Sequence, residues 1–96
     1  MSHSKVIKIE SLSIHYQVDR SFFQQLNDLG VIEIHSVDNM PCVDEQHLAL
    51  LDKVVRLHQD LEINPQGLDV VLNLLDKIDS LEKSLVETQN RLSIFE

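Results

Sequence analysis

Apolar and polar positions along this chain change period at a few sharp points, and each change marks a predicted element. Val6-Ile7-Lys8-Ile9-Glu10 is short, β-branched and partly alternating, and reads as a strand or extended arm. Ser11 is placed to cap a short helix over Leu12 to Tyr16, whose ends lie on one helical face. Val18-Asp19 breaks that pattern, and Asp19 is a good N-cap for a second helix, Arg20 to Leu29. Phe22, Phe23, Leu26 and Leu29 recur at helical spacing and give this helix its apolar face. Gly30 follows as a left-handed C-terminal cap. Val31-Ile32-Glu33-Ile34-His35 predicts a second strand, Ser36 to Asn39 a turn, and Met40 to Val43 a returning arm. Pro41 makes that arm an edge strand at best, because proline has no N–H to give a ladder.

The period then lengthens. Asp44 is the next N-cap, and a helix from Glu45 to about Glu62 carries Leu48, Leu50, Leu51, Val54, Val55, Leu57 and Leu61 over an arc of roughly 180°. Asn64-Pro65 is the clearest boundary, since Asn at the N-cap and Pro at the first helical position both favour initiation. From Pro65 the pattern runs to the end, a helix of up to about 32 residues and about 48 Å. Val71, Leu74, Ile78, Leu81, Leu85, Thr88, Leu92 and Phe95 alternate by threes and fours, an a/d heptad stripe with Thr88 as its weak position. Packing on the preceding helix explains residues 68–78 equally well, but that helix is too short to cover residues 81–95. The stripe therefore predicts a homodimer, with Ile78, Leu81, Leu85 and Leu92 at the dimerisation seam.

Helix, turn, helix and hairpin is the order of a winged helix-turn-helix. The fold class read from the pattern is mainly α. Residues 1–64 form a winged helix-turn-helix-like domain, and residues 65–96 a long C-terminal helix that is coiled-coil-like from about 78. At 96 residues the chain is small enough to gain from self-association.

Charge narrows the function. Eight basic residues stand against sixteen acidic ones, a net charge of −8. Phosphate backbones and anionic membranes both select for Lys and Arg, so nucleic acid and membrane surfaces are poor partners. No apolar run approaches the roughly 18 residues of a membrane span, and Met1-Ser2-His3-Ser4-Lys5 lacks the apolar stretch of a signal peptide. Cys42 is the single cysteine, so no internal disulfide is possible. A cytoplasmic location is the plain expectation.

Candidate chemistry is sparse. The sequence has no Gly-rich phosphate loop, CxxC or HExxH, so neither enzyme nor cofactor is expected. His47 and His58 stand about three turns apart on one helix, too far to share a metal, and read as partly buried structural histidines. His35 and Cys42 face each other across the predicted hairpin, but two ligands do not make a structural zinc site. No cationic cluster is evident that would activate the Cys42 thiol. Phe22 and Phe23 read as core. Arg20 is the only base on the recognition-like helix, beside Gln24, Gln25, Asn27 and Asp28, a poor face for reading DNA. The outer face of the Glu45–Glu62 helix carries Asp52, Lys53, Arg56 and Asp60, with Glu62 at its end, either a solvated surface or a docking one.

These strings together resemble the CbpM-type chaperone modulators, a MerR-like family. The resemblance rests on Leu29-Gly30-Val31-Ile32-Glu33, on Val55-Arg56-Leu57 with Asp60-Leu61, and on Gly67-Leu68 with Val71-Leu72, Leu74-Leu75-Asp76 and Ile78. Asn90-Arg91-Leu92-Ser93 also fits, so the likeness covers roughly residues 7–95. It implies a non-enzymatic protein that binds the J-domain of a DnaJ-like co-chaperone, CbpA, and inhibits it. Asp52, Arg56, Asp60 and Glu62 are the first candidates for that contact, with Asp69, Asp76 and Asp79 second. The Arg followed by paired tyrosines with which true MerR regulators read DNA is absent. A MerR-type DNA-binding regulator is the alternative, and a bare coiled-coil adaptor a third reading.

Overall fold

A computed structural model describes residues 5–94. The polar start Met1–Ser4 and Phe95, the last position of the predicted stripe, lie outside the described residues. In chain order the elements are β1 (Val6–Lys8), α1 (Ile9–Tyr16), α2 (Arg20–Asp28), β2 (His35–Val37), β3 (Met40–Asp44), α3 (Leu48–Leu61) and α4 (Pro65–Ile94). One turn of 3-10 helix over Glu45–His47 leads into α3. The mainly α architecture read from the sequence, with its small sheet and long C-terminal helix, is the one observed.

The core is assembled from every helix and from the sheet. Phe23 and Leu26 of α2, Val43 of β3, Leu51 and Val54 of α3 and Leu68 of α4 are fully buried. Phe22 and Phe23 are both core, their rings meeting edge-on at 5.5 Å. Ile9 and Leu12 add one side of α1, and so α1 begins at Ile9 rather than at Leu12. Asp19 caps α2, accepting the Ser21 N–H at 2.9 Å, and Gly30 takes the positive φ of 78° that its position after α2 demands.

The sheet differs from the predicted hairpin in two ways. Val31–Ile34 is not a strand, because its backbone donors are used by α2. Val31 N–H reaches Leu26 O at 2.9 Å and Ile34 N–H reaches Asn27 Oδ1 at 3.0 Å, which buries Ile32. The hairpin starts later, at His35, and turns on Asp38 and Asn39, whose φ values of 52° and 63° are those of a tight two-residue turn. The second difference is Pro41, which lies in the middle strand of the order β1-β3-β2. Along an antiparallel strand successive residues aim their N–H groups at alternate neighbours. The ladder with β1 stops at Lys8 opposite Cys42, so the donor that Pro41 lacks has no partner to lose on that side.

The entry to α3 is also later than expected. Asp44 makes no side-chain capping bond, and Glu45–His47 form the 3-10 turn. Leu61, placed by its spacing in the buried arc, is 63% exposed at the end of α3. Glu62 leaves the helix in a left-handed conformation, φ 54°. Asn64 then starts α4, its Oδ1 accepting the Gly67 N–H at 2.7 Å and its carbonyl the Leu68 N–H at 2.9 Å. A side chain at Gly67 would crowd this turn, since a Cβ there sits 2.9 Å from Ile63 Cγ2. Helix α4 runs 30 residues.

Only the first turns of α4 touch the rest of the chain. Pro65 and Leu68 are buried and Leu72 packs against the core. The heptad stripe points roughly 140° around the helix from them at about 100° per residue. Leu74, Ile78, Leu81, Leu85 and Leu92 are each at least half exposed. Among the described residues nothing covers this part of the stripe.

Two outcomes follow from the caps. Asn64→Ala lowers stability by about 1 kcal/mol in urea unfolding, with the m-value unchanged. The Ser21 N–H holds the Asp19 carboxyl below its ordinary value of 3.8. The folded chain therefore binds that proton less readily than the unfolded one. The contribution of this cap is present above the ordinary value and fades as pH falls through the lowered one, which acid titration of wild type against Asp19→Asn detects.

Candidate partner-docking face

The side of α3 opposite the core carries three of the four first candidates. Leu51, Val54 and Val55 face inward. Ala49, Leu57 and Leu61 line a shallow concavity of about 500 Å³ together with Asp52, Lys53, Arg56 and Asp60. These positions recur every three or four residues, so they share one helical face by spacing alone. Glu62 is exposed but does not join them, because its left-handed backbone takes it off the helical face.

Asp52 is the hub. Arg56 Nε stands 3.1 Å from Asp52 Oδ2, one helical turn away, with both side chains largely in solvent. The Tyr16 hydroxyl, at the end of α1, donates to Asp52 Oδ1 at 3.5 Å. Gln59 Nε2 donates to the Tyr16 carbonyl at 2.7 Å, so two contacts from α3 hold the last residue of α1. Burial, and after it the Asp52 charge and hydrogen bond, push the Tyr16 phenol above its ordinary value. Neither Tyr16 nor its tie to α3 was visible in the pattern, because the pair is 36 residues apart in sequence.

The second candidates divide. Asp69 and Asp76 line a smaller cleft of about 250 Å³ between α3 and α4, with Lys53 and Leu50 opposite them. Asp79 pairs with Lys83 at 3.0 Å on the exposed rod. Of the two histidines read as structural, His58 makes contacts of that kind and His47 is half-buried. His58 Nδ1 is 2.7 Å from the Ile63 carbonyl and its ring lies over Phe22 at 4.3 Å. His35 stands opposite Cys42 in the hairpin register, and Cys42 is buried. Among the described residues no group of three or more His, Cys, Asp or Glu is placed to hold a metal, and no helix is long and apolar enough to cross a membrane.

The recognition-like helix is electrically quiet. Its one base, Arg20, sits 3.6 Å from Glu10, and Gln24 donates to Asp28 at 3.0 Å. The order of α1, α2 and the β2–β3 hairpin is nonetheless that of a helix-turn-helix regulator. The chain belongs to the MerR HTH family of regulatory proteins, whose profile matches residues 7–90. Within that class it is similar to the chaperone modulatory protein CbpM of Escherichia coli strain K12 DH10B, of E. coli O157:H7 strain EC4115 and of Shigella boydii serotype 18. Each is 27% identical over 88 residues, 91% of this chain and 87% of the relative. This agrees with the CbpM-type, MerR-like resemblance of the sequence.

The chain has one tyrosine and no tryptophan, so its near-ultraviolet titration reports Tyr16 alone. Asp52→Asn removes the charge but not the burial. The Tyr16 titration then moves part of the way back toward 10.0, read as tyrosinate absorbance against pH. An unmoved titration means that the phenol does not face Asp52.

Proposed function

We propose that this protein is a non-enzymatic chaperone modulator that binds the J-domain of a DnaJ-like co-chaperone and inhibits it. The observation that carries this reading is the similarity to CbpM proteins over nine tenths of the chain. The face of α3 supports it physically. Apolar side chains beside charged ones are the make-up of a surface that takes an amphipathic helix. A net charge of −8 favours a basic partner and speeds its encounter. Inhibition is then competition: a J-domain held on α3 has its basic face covered. No chemistry is required, only a binding equilibrium.

The same reading makes the protein a homodimer in the cytoplasm. A stripe of leucines directed away from the chain's own core is satisfied by a second copy of itself, as in a two-stranded coiled coil. The DNA-binding alternative gains nothing from the helix-turn-helix. Arg20 is paired with Glu10, and the tip of the hairpin carries Asp38 rather than a base. Sequence-specific retardation of DNA by the protein alone would reverse that judgement.

Titration calorimetry with a recombinant J-domain at low salt is the direct test. Binding is expected, and it weakens steeply as salt shortens the screening length to about 10 Å near 0.1 M. No heat at low salt sinks the proposal. For the dimer, wild type sediments as two copies and the double substitution Leu81→Asp, Leu85→Asp as one. A monomeric wild type overturns the seam.

A further inference from the structure

We propose that Tyr16 and Asp52 form a subsite for one cationic side chain of the docking partner, and that Arg56 is its resting occupant. The inference rests on the reading of α3 as a docking face and changes the role of one residue within it. Arg56 ceases to be a contact and becomes an internal competitor.

The argument starts from what occupies Asp52 now. A guanidinium already sits 3.1 Å from its Oδ2, donated by Arg56. The other carboxylate oxygen faces the Tyr16 hydroxyl. Asp52 is thus aimed by a neutral donor on one side and neutralised by an exposed cation on the other. The two partners differ in how firmly they are held. Tyr16 ends α1, is partly buried, and has its carbonyl fixed by Gln59 at 2.7 Å. Arg56 has a side chain 73% exposed and no second hydrogen-bonding partner among the described residues. An exposed pair of this kind exchanges easily, because solvent and salt already screen it.

An arriving Lys or Arg would gain what Arg56 does not use. It would meet Asp52 at the edge of the concavity, where the partner's own surface closes the pair off from water. Removing water strengthens the ion pair. Lys53, on the rim of the concavity, adds a second like charge that any incoming base must pass. The two basic residues of this face, set beside its two acids, therefore screen out partners whose cations do not fall at Asp52.

Two probes test the proposal. One is the recombinant J-domain, followed by calorimetry. The other is an amphipathic helical peptide bearing Lys and Arg but no Tyr or Trp, so that only Tyr16 emits. Arg56→Gln keeps the length and helicity of the side chain and removes its charge. It is expected to tighten whichever probe binds by about threefold. Asp52→Asn weakens that probe by roughly tenfold, the loss expected when a hydrogen-bonded charge loses its partner. Tyr16 fluorescence changes on peptide binding to wild type and not to Asp52→Asn. If the J-domain fails to bind while the peptide does and Arg56→Gln tightens it, the partner assignment fails and the subsite stands. If Arg56→Gln weakens binding or leaves it unchanged, Arg56 is a direct contact or a bystander and the subsite is overturned. It is equally overturned if wild type takes up neither probe, or if Tyr16 is silent while the peptide binds.

Discussion

Everything exposed on this molecule is arranged by one buried contact, the insertion of Leu68 into the core. Leu68 joins Phe23, Leu26, Leu51 and Val54 in one buried cluster, and it is fully buried. It comes from the first turn of α4, so burying it settles the rotation of that helix about its own axis. Once Leu68 and Leu72 face inward, periodicity alone turns Leu74, Ile78, Leu81 and Leu85 outward. The outward stripe is therefore a consequence of the core. Among the described residues no second layer covers it.

The same contact stations α3. Helices α3 and α4 diverge from the elbow at Glu62–Asn64, with α3 held by its Leu51–Val54–Val55 side against α2 and the sheet. Its opposite side is open except where the tie from α1, through Tyr16 and Gln59, crosses onto it. Thus the proposed docking face belongs to two helices, though one of them supplies only its last residue.

The parts that were legible in the sequence are those decided locally. Asn64-Pro65 starts a helix because a side-chain oxygen and a missing N–H act within one turn. Gly30 ends one because a positive φ is free of penalty only there. Asp52, Arg56 and Asp60 fall together because helical spacing puts them together. The parts that were missed depend on distant chain. Val31–Ile34 has the composition of a strand, yet Leu26 and Asn27 take its donors. Pro41 looks like an edge residue until the length of β1 shows that its silent position faces the end of a ladder. Leu61 counts as core by spacing and lies beyond the reach of anything that would bury it. Tyr16 carried no signal at all, since nothing in an eight-residue helix announces what its end will touch.

One consequence of the elbow lies in its mechanics. Helix α4 is anchored by its first turns and free for the rest of about 45 Å, so it is a lever with its fulcrum at Ile63–Asn64–Gly67. A rotation of about 5° at that joint carries the far end sideways by about 4 Å, close to the width of a side chain. Asn64 Oδ1 ties the joint to the Gly67 N–H, and Gly67 leaves bare a space beside Ile63 that a Cβ would fill. The aim of Leu92 is thus decided at the opposite end of its own helix, by residues that no inspection of the stripe would single out.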